Sequence, residues 1–218
     1  MARHLVRRLI SWLWPMPVSL TEGRHGVLEV RWEQGRLVLN SGHANQSFGS
    51  LHRVWQQVLK DVLVEFRPAN VLVLGMGGGS VLQILRKEHG LTVPITAVEI
   101  DPHVIGLARK HFGIAALEGL HLIEGDATIQ VHAVRERFDL ILVDLFDDLE
   151  MALGVDSGGF IHGLRDRCAE AGVVCFNTVG HDARSMQRCD RIKSLLDRTF
   201  HVVDERRSEE INRVFIAR

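Results

Sequence analysis

The run Val71-Leu72-Val73-Leu74-Gly75-Met76-Gly77-Gly78-Gly79-Ser80 holds four apolar residues that stop at a cluster of glycines. An apolar run of helical character (Val81, Leu82, Ile84, Leu85) follows. The pattern predicts a fully buried strand, a tight turn and the start of a helix. Glycines admit positive φ and let a ligand approach the backbone with no Cβ in the way. The helix opening there presents unpaired N–H groups and the positive end of its dipole. Such a turn suits a nucleotide-like ligand.

Downstream, strand and helix alternate. Strands are expected at Val71–Leu74, Ile95–Ile100, Leu120–Glu124, Phe138–Val143 and Val173–Asn177. Helices fill the intervals, from Ser80 to His89, from Pro102, through Val134, over Phe160–Ala169 and over Ala183–Arg198. This alternation implies a parallel sheet with helices on both faces. Two last strands, His201–Asp204 and Ile211–Ala217, flank a charged turn, Glu205–Glu210, and read as an antiparallel hairpin at the sheet edge.

Upstream, Val27–Trp32 and Arg36–Asn40 flank Glu33-Gln34-Gly35 and predict a β-hairpin. A polar loop follows, then a helix from Ser50 with Leu51, Val54, Trp55, Val58, Leu59 and Val62 on one face. Before the hairpin, Arg3, His4, Arg7 and Arg8 interleave with Leu5, Val6, Leu9, Ile10, Trp12, Leu13 and Trp14. Met1–Val18 therefore reads as a basic amphipathic helix ended by Pro15 and Pro17. No small-residue cleavage site follows it, as a signal peptide would require. Packing on the body or on a partner subunit is its leading reading, with membrane-surface contact second. The expected organisation is residues 1–66 as an N-terminal extension and residues 67–218 as a ligand-binding domain.

Composition narrows the function. Hydrophobic content of 46% and charged content of 24% are those of an ordinary soluble domain. A net charge of −1 argues against a dedicated nucleic-acid binder. Cys168, Cys175 and Cys189 have no CxxC spacing, which suggests reduced thiols in a cytoplasmic protein. None of the twelve histidines stands in HxH, HxxxH or HExxH spacing, so no metal is expected. The four tryptophans read as core or interface anchors rather than cofactor stackers.

In an open parallel sheet, ligands bind outside the carboxyl ends of the strands. Those ends carry the Gly75–Gly79 turn, Glu99 with Asp101, Asp126, and Asp144 with Asp147 and Asp148. Glu99 can accept from both ribose hydroxyls. Asp126 is placed to accept from an adenine amine, with Ile100 and Ala127 as apolar walls. No GKS or GKT follows the turn, so it is not a P-loop. With no lysine or arginine in view near the site, an acidic rim favours a cation over a polyphosphate. S-adenosylmethionine, with its sulfonium, ribose and adenine, meets that description.

At these residues the sequence resembles the spermidine synthase family, the polyamine aminopropyltransferases. Gly75–Ser80 matches the family's GGGDGG turn. Glu99-Ile100-Asp101 with Pro102 matches E-I-D, Gly125-Asp126-Ala127 matches G-D-A, and Asp144-Leu145-Phe146-Asp147 matches D-x-x-D. Gln46-Ser47 and Trp55-Gln56-Gln57-Val58-Leu59 align with the family's Q-x-S and Y-H-E-M-L. The resemblance implies a Rossmann-like class I methyltransferase fold: a mostly parallel seven-stranded sheet, an antiparallel C-terminal hairpin and a short N-terminal β-hairpin extension. It implies a donor site of Gly75, Gly77, Gly78, Gly79, Glu99, Ile100, Asp126, Ala127 and Asp144. Asp144 would be the base and Asp147 an amine-orienting partner, with Gln46 and Trp55 toward the substrate. The ligands implied are S-adenosylmethionine, its decarboxylated form or methylthioadenosine, with a small amine-like acceptor, no metal and a homodimer.

The chain departs from the family at Gly78, where an acid is usual, and at Trp55-Gln56-Gln57 and Leu145-Phe146. It also has no tyrosine. The donor half is retained and the acceptor half altered. The expected function is therefore a spermidine synthase-like transferase, methyl or aminopropyl, on an acceptor other than putrescine. The alternatives are a genuine aminopropyltransferase with a diverged acceptor site and a non-catalytic binding protein.

Overall fold

The computed structural model describes residues 2–24, 26–41, 45–47, 50–147 and 150–218. In chain order, α1 (Ala2–Ile10) precedes β1 (Met16–Gly23), β2 (Gly26–Glu33), β3 (Arg36–Asn40) and β4 (Asn45–Ser47). Then come α2 (Ser50–Glu65), β5 (Val71–Leu74), α3 (Ser80–Gln83), β6 (Ile95–Glu99), α4 (Pro102–His111), β7 (Leu120–Glu124), α5 (Ala127–Ala133) and β8 (Phe138–Val143). The chain continues through the two-residue strands β9 (Phe146–Asp147) and β10 (Glu150–Met151) to α6 (Gly158–Arg167), β11 (Cys168–Val179), α7 (Ala183–Thr199), β12 (Val203–Ser208) and β13 (Asn212–Ala217).

The main sheet runs β12-β13-β11-β8-β5-β6-β7. Strands β11, β8, β5, β6 and β7 are parallel, and β13 is antiparallel to both of its neighbours. After β5 the chain builds outward through β6 and β7, then returns to place β8 on the other side of β5. This reversal is the topological switch point of the sheet, where such folds bind ligands. Alternation along β5 separates two cores. Val71 and Val73 face a cluster with Val54, Trp55, Leu59, Leu82 and Leu85, whereas Leu72 and Leu74 face Phe160, Leu164, Ile192 and Leu196. All four β5 residues are fully buried, as a two-sided sheet requires.

The expected N-terminal hairpin, β2 with β3, is present, and β1 and β4 extend it to a four-stranded sheet. Leu28, Val30, Val38 and Leu39 of that sheet pack on Val104, Leu107 and Phe112, on and just after α4. The helix expected over Met1–Val18 ends at Ile10, and Pro17 lies inside β1. A proline is tolerated there because β1 is an edge strand, where a missing N–H breaks no interior ladder. The pairing shifts register between Pro17 and Ser19. Among the described side chains of this segment, Val6, Leu9 and Ile10 are exposed, as are Trp12, Leu13 and Trp14. What anchors the helix is polar: Ser11 Oγ accepts from the Gly35 N–H at 3.0 Å, and Ser11 O from the Gln34 N–H at 2.9 Å.

Two smaller expectations also change. The helix over Ser80–His89 is α-helical only to Gln83 and continues as a wider π-type turn, Ile84–Glu88. Arg206 and Arg207 belong to β12 rather than to the expected charged turn, and the reversal falls at Glu209 and Glu210, both at positive φ. Arg53 clamps Glu209 there through two bonds of 2.8 and 2.7 Å. No helix among the described residues is long and apolar enough to cross a membrane. Burial pushes the Cys168 thiol up to about 11 and the Cys175 thiol to about 12, so both act as small apolar core residues.

Candidate functional site

A cavity of about 370 Å³ opens at the carboxyl ends of β5, β6, β7 and β8. The turn after β5 shapes its floor. Gly75 has φ +87°, and a Cβ there would fall on the carbonyl oxygen of Asp144. The Gly75 and Met76 N–H groups donate to Val98 O at 3.0 and 3.2 Å, tying the turn to β6. Gly79, also at positive φ, starts α3 and packs on Ile114. Glycine is thus required at Gly75 by a close backbone approach and at Gly79 by conformation.

Glu99 ends β6 beneath this turn and is 9% exposed. Its Oε2 accepts from Gly77 N at 2.8 Å, and its Oε1 from Ile100 N at 2.9 Å and Asp101 N at 3.1 Å. Burial nonetheless pushes its carboxyl above the usual range. A buried carboxylate held by three N–H groups is fixed in position and retains lone pairs for a hydroxyl donor. Asp126 caps α5, its Oδ1 accepting from Thr128 N at 2.8 Å and Thr128 Oγ1 at 2.7 Å. Its Oδ2 takes no hydrogen bond among the described residues. Ile100, Ala127 and Thr128 line the cavity beside it.

Asp144 directly follows β8 at the switch point. Its Oδ1 accepts from Asn177 Nδ2 and its Oδ2 from Trp55 Nε1, each at 2.9 Å. Asn177 Oδ1 in turn accepts from Asn212 Nδ2 at 3.1 Å. Burial raises the Asp144 carboxyl to about 6, the Asn177 and Trp55 donors oppose the rise, and the Glu99 charge adds to it. A carboxylate titrating near 6 is ionised at neutral pH and basic enough to receive a proton.

The cavity thus brings together Gly75, Gly77, Glu99, Ile100, Asp126, Ala127, Asp144 and Asp147. Gly78 and Gly79 are buried behind the turn and do not line it. Trp55 is fully buried and reaches the site only through its indole N–H. Gln46 lies in β4, but its side chain is outside the described residues, and so is Asp148. The sequence reading missed three contributors. Asn177 and Asn212 hold Asp144 from β11 and β13, and Arg24 lines the cavity from the β1–β2 turn. Arg24 corrects the expectation that no cation stands near the site. Its signal was hidden because only folding brings that turn over α4, where Asp101 Oδ2 accepts the Arg24 N–H at 2.7 Å. Among the described residues no group of three or more His, Cys, Asp and Glu side chains could hold a metal.

Polyamine aminopropyltransferase 2 of Hyperthermus butylicus is 29% identical over 123 residues, 53% of this chain and 40% of that protein. The polyamine aminopropyltransferase of Neisseria meningitidis serogroup A is 27% identical over 201 residues, 90% of this chain and 75% of the relative. The chain therefore spans less than half of the first relative's length and three quarters of the second's.

Among solved structures, a probable spermidine synthase from Corynebacterium glutamicum superposes with a TM-score of 0.78 at 15% identity, covering 92% of this chain and 79% of the other. Human methyltransferase-like protein 13, solved with SAH, superposes at 0.63 and 23% identity over 78% of this chain and 82% of its own. A spermidine synthase solved with the transition state analogue AdoDATO reaches 0.70 at 14% identity, covering 93% and 72%. These likenesses are of fold, a Rossmann-like methyltransferase sheet. The family model described as the spermine/spermidine synthase domain matches residues 56–204, which include the glycine turn, Glu99, Asp126, Asp144 and Asp147. With more than half of the chain matched and the matched residues gathered on one cavity, the protein belongs to the spermine/spermidine synthase family.

Proposed function

We propose that the chain is a transferase that takes an alkyl group from an adenosyl sulfonium, S-adenosylmethionine or a derivative, and passes it to an amine other than putrescine. The observation that carries this reading is the placement of Glu99 at the end of β6 and Asp144 after β8, on either side of the glycine turn that follows β5, on one cavity. Glu99 accepts from the ribose hydroxyls and Asp126 from the adenine amine, while Ile100 and Ala127 enclose the ring. Charge-assisted hydrogen bonds of this kind contribute about 1.5–3 kcal/mol each.

A primary ammonium has no lone pair with which to attack. The Asp144 carboxylate takes one of its protons, and Asp147 orients the amine. The nitrogen then attacks the carbon on sulfur, the C–S bond breaks and its electron pair stays on sulfur. The products are a thioether, a substituted ammonium and a protonated Asp144, which accounts for every charge.

Calorimetry with S-adenosylmethionine, its decarboxylated form and methylthioadenosine tests the donor. Binding of ordinary S-adenosylmethionine is expected, because Gly78 offers no carboxylate to repel the α-carboxylate of the donor. Tight binding of the decarboxylated donor alone, with spermidine formed from putrescine, would instead favour a genuine aminopropyltransferase, the reading closest to the family's name. Family membership gives that second reading its weight. A chain that binds a donor and transfers nothing to any amine would be a binding protein.

A further inference from the structure

The cavity has two unlike ends. Glu99, Asp101 and Asp126 stand at the end that faces β6 and β7. Around Asp144 the lining is Leu51, Leu145, Phe146, Val179 and Ile211, with Asp147 and Asn212 the polar groups there. Chain connectivity places these five apolar residues around Asp144 rather than around Glu99. Leu51 lies one helical turn before Trp55, whose indole N–H bonds Asp144. Leu145 and Phe146 directly follow Asp144 in sequence. Val179 lies two residues past Asn177, which also bonds Asp144, and Ile211 precedes Asn212, which bonds Asn177. Leu153, 91% exposed at the rim, adjoins Gly154, which lies against Thr128 on the Asp126 side.

Of the carboxylates that line the cavity, Asp144 and Asp147 serve the reacting nitrogen under the reading above, Glu99 and Asp126 serve the donor, and Asp101 is taken up by the α4 cap and the Arg24 N–H. None is left, among the described residues, for a second ammonium at the far end. A diamine would have to bury its distal charge against leucine, isoleucine and valine, which is costly without a paired carboxylate. An alkyl tail in the same place gains roughly fourfold in affinity for each methylene buried. Resting on the transferase reading, we infer that the acceptor is a monoamine with an apolar body, and not a diamine or polyamine.

The test is calorimetry on the full chain saturated with methylthioadenosine, titrated with hexylamine and with 1,5-diaminopentane. The two probes match in heavy-atom count and differ only in a terminal methyl against an ammonium. Hexylamine should bind at least about tenfold more tightly, the order of penalty an unpaired buried charge imposes. Ile211→Glu, which puts a carboxylate at the far end, should bring the two to within about threefold or reverse them. Leu51→Glu asks the same question from a different element, should Ile211→Glu disturb the β12–β13 turn. Equal or tighter binding of the diamine by the unmodified chain overturns the inference, as does a hexylamine preference unchanged in both folded variants. If neither methylthioadenosine nor S-adenosylmethionine binds, the donor reading fails and this inference with it. Normal donor binding with a diamine preference overturns the acceptor class alone.

Discussion

Asp144 is the residue on which the chemistry turns, and its surroundings set how it titrates. Asp144→Asn removes the proton acceptor and should lower transfer by about 10²–10⁴-fold, the usual contribution of a general base. Methylthioadenosine affinity should persist, because Glu99 and Asp126 are untouched. A parallel loss of affinity and rate would show that Asp144 serves binding rather than proton transfer. The unmodified chain should show a transfer rate rising with pH through an acid limb near 6, as the buried carboxyl ionises. Trp55→Phe deletes one of the two N–H donors that favour the charged form. A net hydrogen bond of roughly 1.4 kcal/mol corresponds to about one pH unit, so the limb should move up by about that much. An unmoved limb would mean that solvent replaces the indole. The carboxylates themselves were legible in the sequence because each ends an apolar strand. Their partners were not, since Trp55 and Asn177 meet Asp144, and Asn212 meets Asn177, only through the packing of α2, β11 and β13.

Helix α2 is tied to the glycine turn by a buried polar link. His52 Nδ1 lies 2.6 Å from Ser80 Oγ, and its Nε2 lies 3.2 Å from Glu88 Oε1, while Gln56 donates to Glu88 Oε2 at 2.8 Å. Burial lowers the His52 pKa below 6.5, although Glu88 opposes this, so the ring is neutral at pH 7. The unfolded chain binds the proton more readily, so this group's contribution to stability is full above 6.5 and is lost as pH falls below that value through the lower folded one. His52→Gln should therefore flatten part of the fall in Tm between pH 7 and pH 5, measured as the difference between variant and unmodified chain. Identical pH slopes would remove His52 from the account. Gly75→Ala probes the other side of the same turn. With its Cβ forced onto the Asp144 carbonyl oxygen, it should cost both stability and donor affinity, and unchanged values of both would contradict the geometry. The elements that differed from expectation share a cause. Pro15 and Pro17 stop a helix and also suit an edge strand, and only the neighbouring β2 decides between them. The π-type turn at Ile84–Glu88 leaves no distinct mark in a pattern where Leu82, Ile84 and Leu85 are apolar in either winding.

At the scale of the whole molecule, the cavity exists because two sheets meet over it. The parallel sheet was legible from β5 onward because short apolar runs alternate with helical patterns along the chain. The N-terminal sheet was half hidden, because β1 and β4 pair through contacts that no local pattern announces. Asp101 joins the two. Its Oδ1 caps α4 by accepting from His103 N at 2.8 Å, and its Oδ2 accepts from Arg24 N in the β1–β2 turn at 2.7 Å. Burial alone would raise the Asp101 carboxyl, but these N–H groups and the His103 ring outweigh it and hold the group below 3.8. Its contribution to stability is then present above 3.8 and is lost only as pH falls through the lower folded value, so it is constant near neutrality. Asp101→Ala removes a helix cap and the tie to the roof together, at about 1–3 kcal/mol, which corresponds to a fall in Tm of about 2–10 °C for a chain of this size. Asp101→Asn keeps an oxygen for the cap but turns an N–H donor toward the Arg24 N–H. It should lose less stability than Asp101→Ala. Because Arg24, Gly26 and Leu28 line the donor end of the cavity from that roof, methylthioadenosine affinity should drop in both variants. An affinity that follows stability, falling in the alanine variant and preserved in the asparagine one, would place the role of Asp101 in the α4 cap and leave the roof to be held by the packing of Leu28 and Val30 on Val104 and Leu107.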